Sequence, residues 1–384
     1  MLTKLRVRNY KSLEDVTIPL RPLTVFVGPN NAGKSNILDC LLFLRELLEL
    51  GAPSVHSRGG FQYLVWGGDL KRQIEMELDA HILDTSSRER SITYQIEIAG
   101  GPAGHYTISG ETCLMHVDDE EQKLLEFPIE QGQVGVWDQT RRQIASWSSW
   151  KTGIQLHLGD CEDPVRYPIL SALAKAIHNW AFYNFVPSRM EQPGLANKDL
   201  RLQKEGENIS SVLHTFQSEW GESFAEVEEL LKAAVPEVER LLTPLTEESQ
   251  TYLAVEERGF SLRIPSWAMS DGTLRFLGQL AALFSPDPPA LACFEEPENC
   301  IHPGLLDLVV DVLKSASQKI QILATTHSPY FLNSLKALEP LVIVEKEDGK
   351  TQCREAKDMA GVEEALKALG LGELWYSGHL GGVR

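Results

Sequence analysis

One octapeptide constrains this chain more than any other feature: Gly28-Pro29-Asn30-Asn31-Ala32-Gly33-Lys34-Ser35. The apolar run Leu23-Thr24-Val25-Phe26-Val27 precedes it, and apolar residues at helical spacing from Lys34 to Leu50 follow it. A short continuous apolar run suits a buried strand. Strand, glycine-rich turn and helix together form the setting in which a GxxxxGK[ST] pattern carries chemistry. The glycines let the backbone curl so that successive N–H groups point inward at phosphate oxygens. The helix N-terminus adds partial positive charge. Lys34 is expected to reach the β- and γ-phosphates, and the Ser35 hydroxyl to ligate Mg2+. The binding stretch is read as running from Gly28 through Asn36.

Three further segments point the same way. Leu291-Ala-Cys-Phe294-Glu295-Glu296-Pro-Glu298-Asn299 is an apolar strand ending in adjacent carboxylates. Glu295 is expected to hold Mg2+ through water, and Glu296 to orient and polarise an attacking water. Ile322-Leu-Ala-Thr325-Thr326-His327-Ser328 ends a second strand in a histidine 31 residues beyond Glu296, placed to sense a γ-phosphate. Met269-Ser270-Asp271-Gly272-Thr273 precedes an apolar helix; Ser270 is an N-cap by its position, and the turn is also an anion site.

Around these motifs the chain alternates strand and helix from residue 262 onward, which predicts a parallel sheet covered by helices. Between about 72 and 160, alternating segments such as Ile74–Leu78 and Thr93–Ile98 predict an antiparallel β region. Residues 205–257 hold 13 Glu, no Asp and only Lys232 and Arg240 as basic residues, a local net charge of −11 out of −18 for the 384-residue chain. Apolar residues recur there at helical spacing, so an acidic helical insertion is expected. The overall fold class is therefore α/β. The expected divisions are an N-terminal lobe over 1–187, the acidic insertion over 188–257, a C-terminal lobe over 258–350 and a terminal helix with tail over 351–384. The acidity argues against a simple polyelectrolyte binder of nucleic acid, while leaving room for a local basic groove. Arg189, Lys198, Arg201 and Lys204 form a modestly basic stretch. No run of about 20 apolar residues is present, and the N-terminus lacks a signal-peptide layout, so a cytoplasmic protein with no membrane association is expected. The six cysteines have neither CxxC pairs nor regular spacing, as in reduced, mostly buried thiols.

In their order and spacing, the four segments resemble the ABC-type P-loop ATPases, in particular the SMC/RecF/OLD-like branch of ATP-binding heads. Asn9-Tyr10-Lys11-Ser12-Leu13 is similar to that branch's opening. The resemblance implies an ABC-ATPase head with a mixed sheet core. It makes Gly28–Ser35 the Walker A motif, Phe294-Glu295-Glu296 the Walker B motif, Ser270-Asp271-Gly272 the signature turn and His327 the switch histidine. It also implies a two-fold homodimer sandwiching ATP, with Ser270, Asp271 and Gly272 acting in trans. Some positions depart from the pattern. Glu295 stands where many relatives use Asp, and the signature reads Ser-Asp-Gly-Thr. A Q-loop residue is expected at the Phe182–Arg189 strand end, with Gln62 the weaker candidate. Only 40 residues follow Val344, too few for the Toprim domain of OLD-like nucleases, so Glu345, Glu347 and Asp348 are read as a turn.

The resemblance implies a Mg2+-dependent ATPase that controls a separately encoded effector, a nuclease or toxin, in prokaryotic anti-phage defence. Two alternatives stay open: a RecF-like ATPase that binds DNA, and a nucleotide-gated scaffold that does not hydrolyse. Trp137, Trp147 and Trp150 are candidates for a base-stacking face or for the core of the β region.

Overall fold

The computed structural model describes residues 1–101, 106–118, 120–129, 132–148 and 156–381. The chain forms two compact units. One comprises Met1–Arg21, Val27–Trp180 and Val342–Met359; the other comprises Pro22–Phe26, Ala181–Leu341 and Ala360–Arg384.

An eight-stranded antiparallel sheet dominates the first unit. Its spatial order is Leu13–Pro19, Leu2–Tyr10, Gln73–Leu83, Glu89–Gly100, Tyr106–Val117, Glu120–Phe127, Gln133–Trp137 and Gln143–Ser148. Along Gln73–Leu83, Ile74, Met76, Leu78, Ala80 and Ile82 are buried in strict alternation. That period of two turns one face of the strand to the core and the other to water. The helix Pro168–His178 packs on this strand and on the helix Lys34–Leu50. Its Ile169, Leu173 and Ile177, four residues apart, are all buried. Each such side chain contributes roughly 1.5–3 kcal/mol by leaving water. The antiparallel region read from residues 72–160 is thus this sheet. Trp137 is half-buried on it, with the Lys123 ammonium 5.6 Å from the ring centroid. Trp150 lies outside the described residues. Asp348 and Gly349, both with positive φ, make the two-residue turn between Leu341–Glu347 and Lys350–Glu355, as their residue types favour.

The second unit contains a sheet with the order Trp180–Tyr183, Leu291–Glu295, Gln321–Thr326 and Leu23–Val27. Leu291–Glu295 and Gln321–Thr326 run parallel, with Glu295 opposite Thr325. Parallel neighbours need a crossover, and the helix Leu306–Ala316 lies between them in sequence. Gln321–Thr326 is buried along its whole length, as expected of a strand covered on both faces. The strand–helix alternation predicted beyond residue 262 is present, with Asp271–Leu283 and Pro329–Leu335 as further helices.

The acidic segment differs from its reading. Its first half is helical, Ile209–Glu219 and Gly221–Ala234, burying Leu213, Phe216, Phe224, Val227 and Leu231 and exposing Glu222, Glu226 and Glu229. Its second half is sheet: Val238–Leu242 pairs with Ala254–Glu257, which pairs with Ile264–Pro265. Pro236 supplies no N–H and cannot continue the helix. The buried pairs Leu241–Val255 and Leu242–Ala254 then anchor the strands. Near the C-terminus, where a terminal helix is expected within 351–384, there are two short helices, Val362–Leu366 and Leu371–Tyr376. The second packs on Pro329–Leu335 through a glycine: a Cβ on Gly372 would lie 2.1 Å from the Pro329 carbonyl oxygen.

Among the described residues no helix is long and apolar enough to cross a membrane. All six cysteines are free thiols, four of them buried.

Candidate functional site

After the strand Leu23–Val27 the chain turns over Gly28–Gly33 into the helix Lys34–Leu50, loop and helix belonging to the first unit. Gly33 caps the helix at φ 111°, a conformation that side chains resist. A Cβ there would sit 2.1 Å from Thr351 Oγ1, and one on Gly28 would sit 2.2 Å from the Val344 carbonyl oxygen. Both glycines are therefore required by close packing as well as by curl. Asn31 is also left-handed, at φ 64°. Lys34 is buried, and its ammonium donates to the carbonyls of Gly28 (2.6 Å) and Pro29 (3.0 Å). It is held inside the loop. Asn30, Asn31 and Ser35 are exposed, and Ala32 is buried.

The loop is braced from outside the motif. Thr351 Oγ1 donates to the Ala32 carbonyl at 2.8 Å and lies 2.7 Å from Ser12 Oγ. Asn36 Nδ2 donates to the same Ser12 oxygen at 2.7 Å. Asn36, read as part of the binding stretch, thus serves as a brace. The opening Asn9–Leu13 segment has a physical role here. Besides Ser12, it supplies Tyr10, whose hydroxyl donates to Asp39 at 2.5 Å, and Lys11, whose ammonium pairs with Asp39 at 2.5 Å. Arg58 reaches Asp39 at 3.0 Å and lies over the Phe43 ring. Burial raises the Asp39 pKa, but Arg58, Lys11 and the Tyr10 hydroxyl outweigh it and hold the carboxyl below its ordinary range. This knot fixes the first turns of the helix that carries Lys34 and Ser35.

The second unit carries the acids. Glu295 ends its strand and accepts from Asn184 Nδ2 at 3.3 Å, which puts a residue of the 182–189 strand end at the first acid. Glu296 leaves the strand at φ 46°, a strained value for a non-glycine residue. Its N–H donates to the Thr325 carbonyl at 3.1 Å, which holds that turn. One carboxylate oxygen lies 2.8 Å from His327 Nδ1, and the other accepts from Asn299 Nδ2 at 2.6 Å. The structure thus brings Glu296 and His327 together, and adds Asn299. Glu298 is buried and accepts from the Thr326 hydroxyl.

The signature turn lies in the same unit. Ser270 Oγ accepts from the Thr273 N–H at 3.1 Å, so it is the N-cap of Asp271–Leu283. Asp271 is exposed. A Cβ on Gly272 would fall 2.4 Å from the Cys300 carbonyl oxygen. The signature glycine therefore has a reason within its own chain: it lets the loop after Glu296 approach. Three of the four basic residues from 189 to 204 meet acids: Arg189 meets Glu205, Lys198 meets Glu219 and Arg201 meets Asp287.

Chemically, the first unit offers a glycine-lined loop with a helix N-terminus, a buried ammonium and an exposed hydroxyl, a set suited to a polyphosphate. The second offers a half-exposed carboxylate at a strand end and a carboxylate–imidazole pair. Among the described residues no cluster of three His, Cys, Asp or Glu side chains forms a metal cage. Mg2+ needs none, being held by one or two protein ligands, substrate phosphates and water.

A family model described as "AAA domain, putative AbiEii toxin, Type IV TA system" matches residues 23–333. An OLD nuclease of Thermus scotoductus is 58% identical over 38 residues, a match that takes in 10% of this chain and only 7% of that protein's length. Two solved structures are similar over nearly the whole chain. A Smc head bound to the C-winged helix domain of ScpA has a TM-score of 0.58 at 16% identity, covering 95% of this chain and 99% of that one. A Smc head domain with an extended coiled coil, bound to the C-terminal domain of ScpA derived from Pyrococcus furiosus, has a TM-score of 0.53 at 14% identity, with the same coverage. At such identities the likeness is one of fold.

Proposed function

The chain belongs to this AAA-domain family, within the ABC-type P-loop ATPases of the SMC/OLD-like branch, and on that premise we propose that it binds ATP with Mg2+ and hydrolyses it. Lys34 and the N–H groups of Gly28–Ser35 hold the phosphates. Ser35 and Glu295 are the protein ligands of the cation, which screens phosphate charge when bound. Glu296 takes a proton from the attacking water, and His327 orients that carboxylate. The observation that carries this reading is the clamping of Glu296: both carboxylate oxygens are engaged, one by His327 and one by Asn299. A general base must be aimed before its pKa matters.

We further propose that two copies sandwich ATP, with Ser270 and Gly272 of each completing the other's site, and that the cycle controls a separately encoded toxin or nuclease in cytoplasmic anti-phage defence. Support for an effector comes from the family description, and from the two Smc heads, both bound to a domain of another protein. DNA is the weaker partner, because the basic stretch from 189 to 204 is largely paired with acids. Light scattering on the Glu296→Gln variant tests the assembly: ATP with Mg2+ should convert a monomer into a dimer, and Ser270→Arg should abolish the conversion. A monomer under all conditions would remove the sandwich. Tight, salt-sensitive binding of duplex DNA by the protein alone would favour the repair reading.

A further inference from the structure

Glu298 lies outside every role assigned above, yet it is one of the few buried carboxylates among the described residues. Its Oε1 accepts the hydroxyl proton of Thr326. The same Thr326 oxygen accepts the Ser328 N–H at 3.0 Å. His327 sits between those two residues, so the Glu298–Thr326–Ser328 chain of hydrogen bonds spans its backbone. On the other side, the Glu296 N–H donates to the carbonyl of Thr325 at 3.1 Å and approaches its hydroxyl at 3.3 Å. The strand end Thr325–Ser328 is thus tied at both flanks to the loop Glu296–Asn299. The pair these two segments carry, the exposed His327 and the half-exposed Glu296, is held at 2.8 Å. The second Glu298 oxygen is buried and has no hydrogen-bond partner among the described residues. A buried polar atom without a partner costs stability. Gln279 pins the same loop from beneath by donating to the Pro297 carbonyl at 2.6 Å.

We propose that Glu298 is a positioning residue for the catalytic pair: through the Thr326 hydroxyl it fixes the peptide carrying His327, and so sets the imidazole against Glu296. A glutamine can reproduce this, since its side-chain carbonyl accepts from Thr326 as the carboxylate does. An alanine cannot. The inference rests on the proposed roles of Glu296 and His327, and the test separates the two.

The test uses full-length protein and two readouts. The first is steady-state ATP turnover with Mg2+. The second is the side-chain 15N spectrum of labelled histidine, with the His327 signal assigned by its loss in His327→Gln. The spectrum reads the hydrogen bond at His327 Nδ1 with no need for turnover. Glu298→Ala should lower kcat by at least about tenfold, with ATP affinity unchanged within about threefold. It should also shift the His327 Nδ1 signal towards its position in Glu296→Gln. Thr326→Val, nearly isosteric and still foldable should Glu298→Ala fail to fold, should do the same. Glu298→Gln and Thr326→Ser should retain both the rate and the signal. The Glu298→Ala/Thr326→Val double variant should be no worse than either single variant, as expected for one relay. An unshifted His327 signal in Thr326→Val overturns the inference, as does an additive double variant. Unchanged turnover in Glu296→Gln would instead overturn the catalytic reading, and the spectrum alone would then decide the positioning role.

Discussion

His327 Nδ1 lies 2.8 Å from Glu296 Oε1, joining the ends of two parallel strands through their side chains. Each is exposed enough to meet a ligand, and each is held by a loop that is otherwise well tied. Glu296→Gln should keep ATP binding and lower turnover by about 10²–10⁴, the usual worth of a general base. His327→Ala should cost less, about tenfold or roughly 1.4 kcal/mol, because Asn299 still holds the other oxygen. Phosphate release and nucleotide binding measured side by side check both. Turnover insensitive to Glu296→Gln would remove its assignment as base.

Lys34→Ala should weaken ATP binding by tenfold or more, about 1.4 kcal/mol or above, because a charge-assisted contact to phosphate is lost. The effect should appear in direct titration with a fluorescent nucleotide. Equal affinity in both proteins would move the phosphate site elsewhere.

The brace outside the motif makes a separate prediction. Thr351→Val leaves the buried Ala32 carbonyl and the Ser12 hydroxyl short of a partner. The expected loss is about 1–3 kcal/mol in chemical denaturation, with weaker nucleotide binding through a looser loop. Thr351→Ser should recover most of both. Wild-type midpoint and affinity in Thr351→Val would show that the loop needs no brace.

Gly272→Ala should lower the melting temperature even in a protein kept monomeric, because its methyl group would meet the Cys300 carbonyl and displace the loop bearing Glu296 and Asn299. Overpacking of this kind costs about 1–3 kcal/mol. If Gly272→Ala impairs only dimer formation, with the melting temperature unchanged, the glycine acts through the partner alone.

Glu111 makes stability depend on pH. Its carboxyl is fully buried and accepts from the backbone N–H groups of His157 (2.6 Å) and Leu158 (2.8 Å) and from the Tyr94 hydroxyl (2.8 Å). Burial pushes its pKa up to about 7 in spite of those bonds. The folded value lies above the unfolded one near 4.5, so the native state retains a proton that the unfolded chain gives up. Its contribution is complete below pH 4.5 and is lost as pH rises through about 7, a change of roughly 3 kcal/mol. Melting temperatures across that window should fall in the wild type and fall less in Glu111→Gln. Parallel profiles would show that Glu111 is not the titrating group.

Whatever depends on a contiguous stretch was readable from residues alone. Gly28–Ser35 with its flanking strand and helix, the acids ending Leu291–Glu295, the N-cap at Ser270 and the histidine after Gln321–Thr326 all declare themselves within about ten residues, because apolar period and turn chemistry act over that range. The acidic segment was half legible: Pro236 marked the end of its helix, but the strands beyond it depend on partners in the sheet. What folding added are pairings between distant positions. Ser12 meets Thr351 across 339 residues, and Asn184 meets Glu295 across 111. Gly272 makes room for Cys300, and Thr326 joins Glu298 to the peptide of His327. No local periodicity encodes such pairs. They exist because strand register and loop closure place two polar groups in one buried spot, where leaving either unpaired costs more than ordering both.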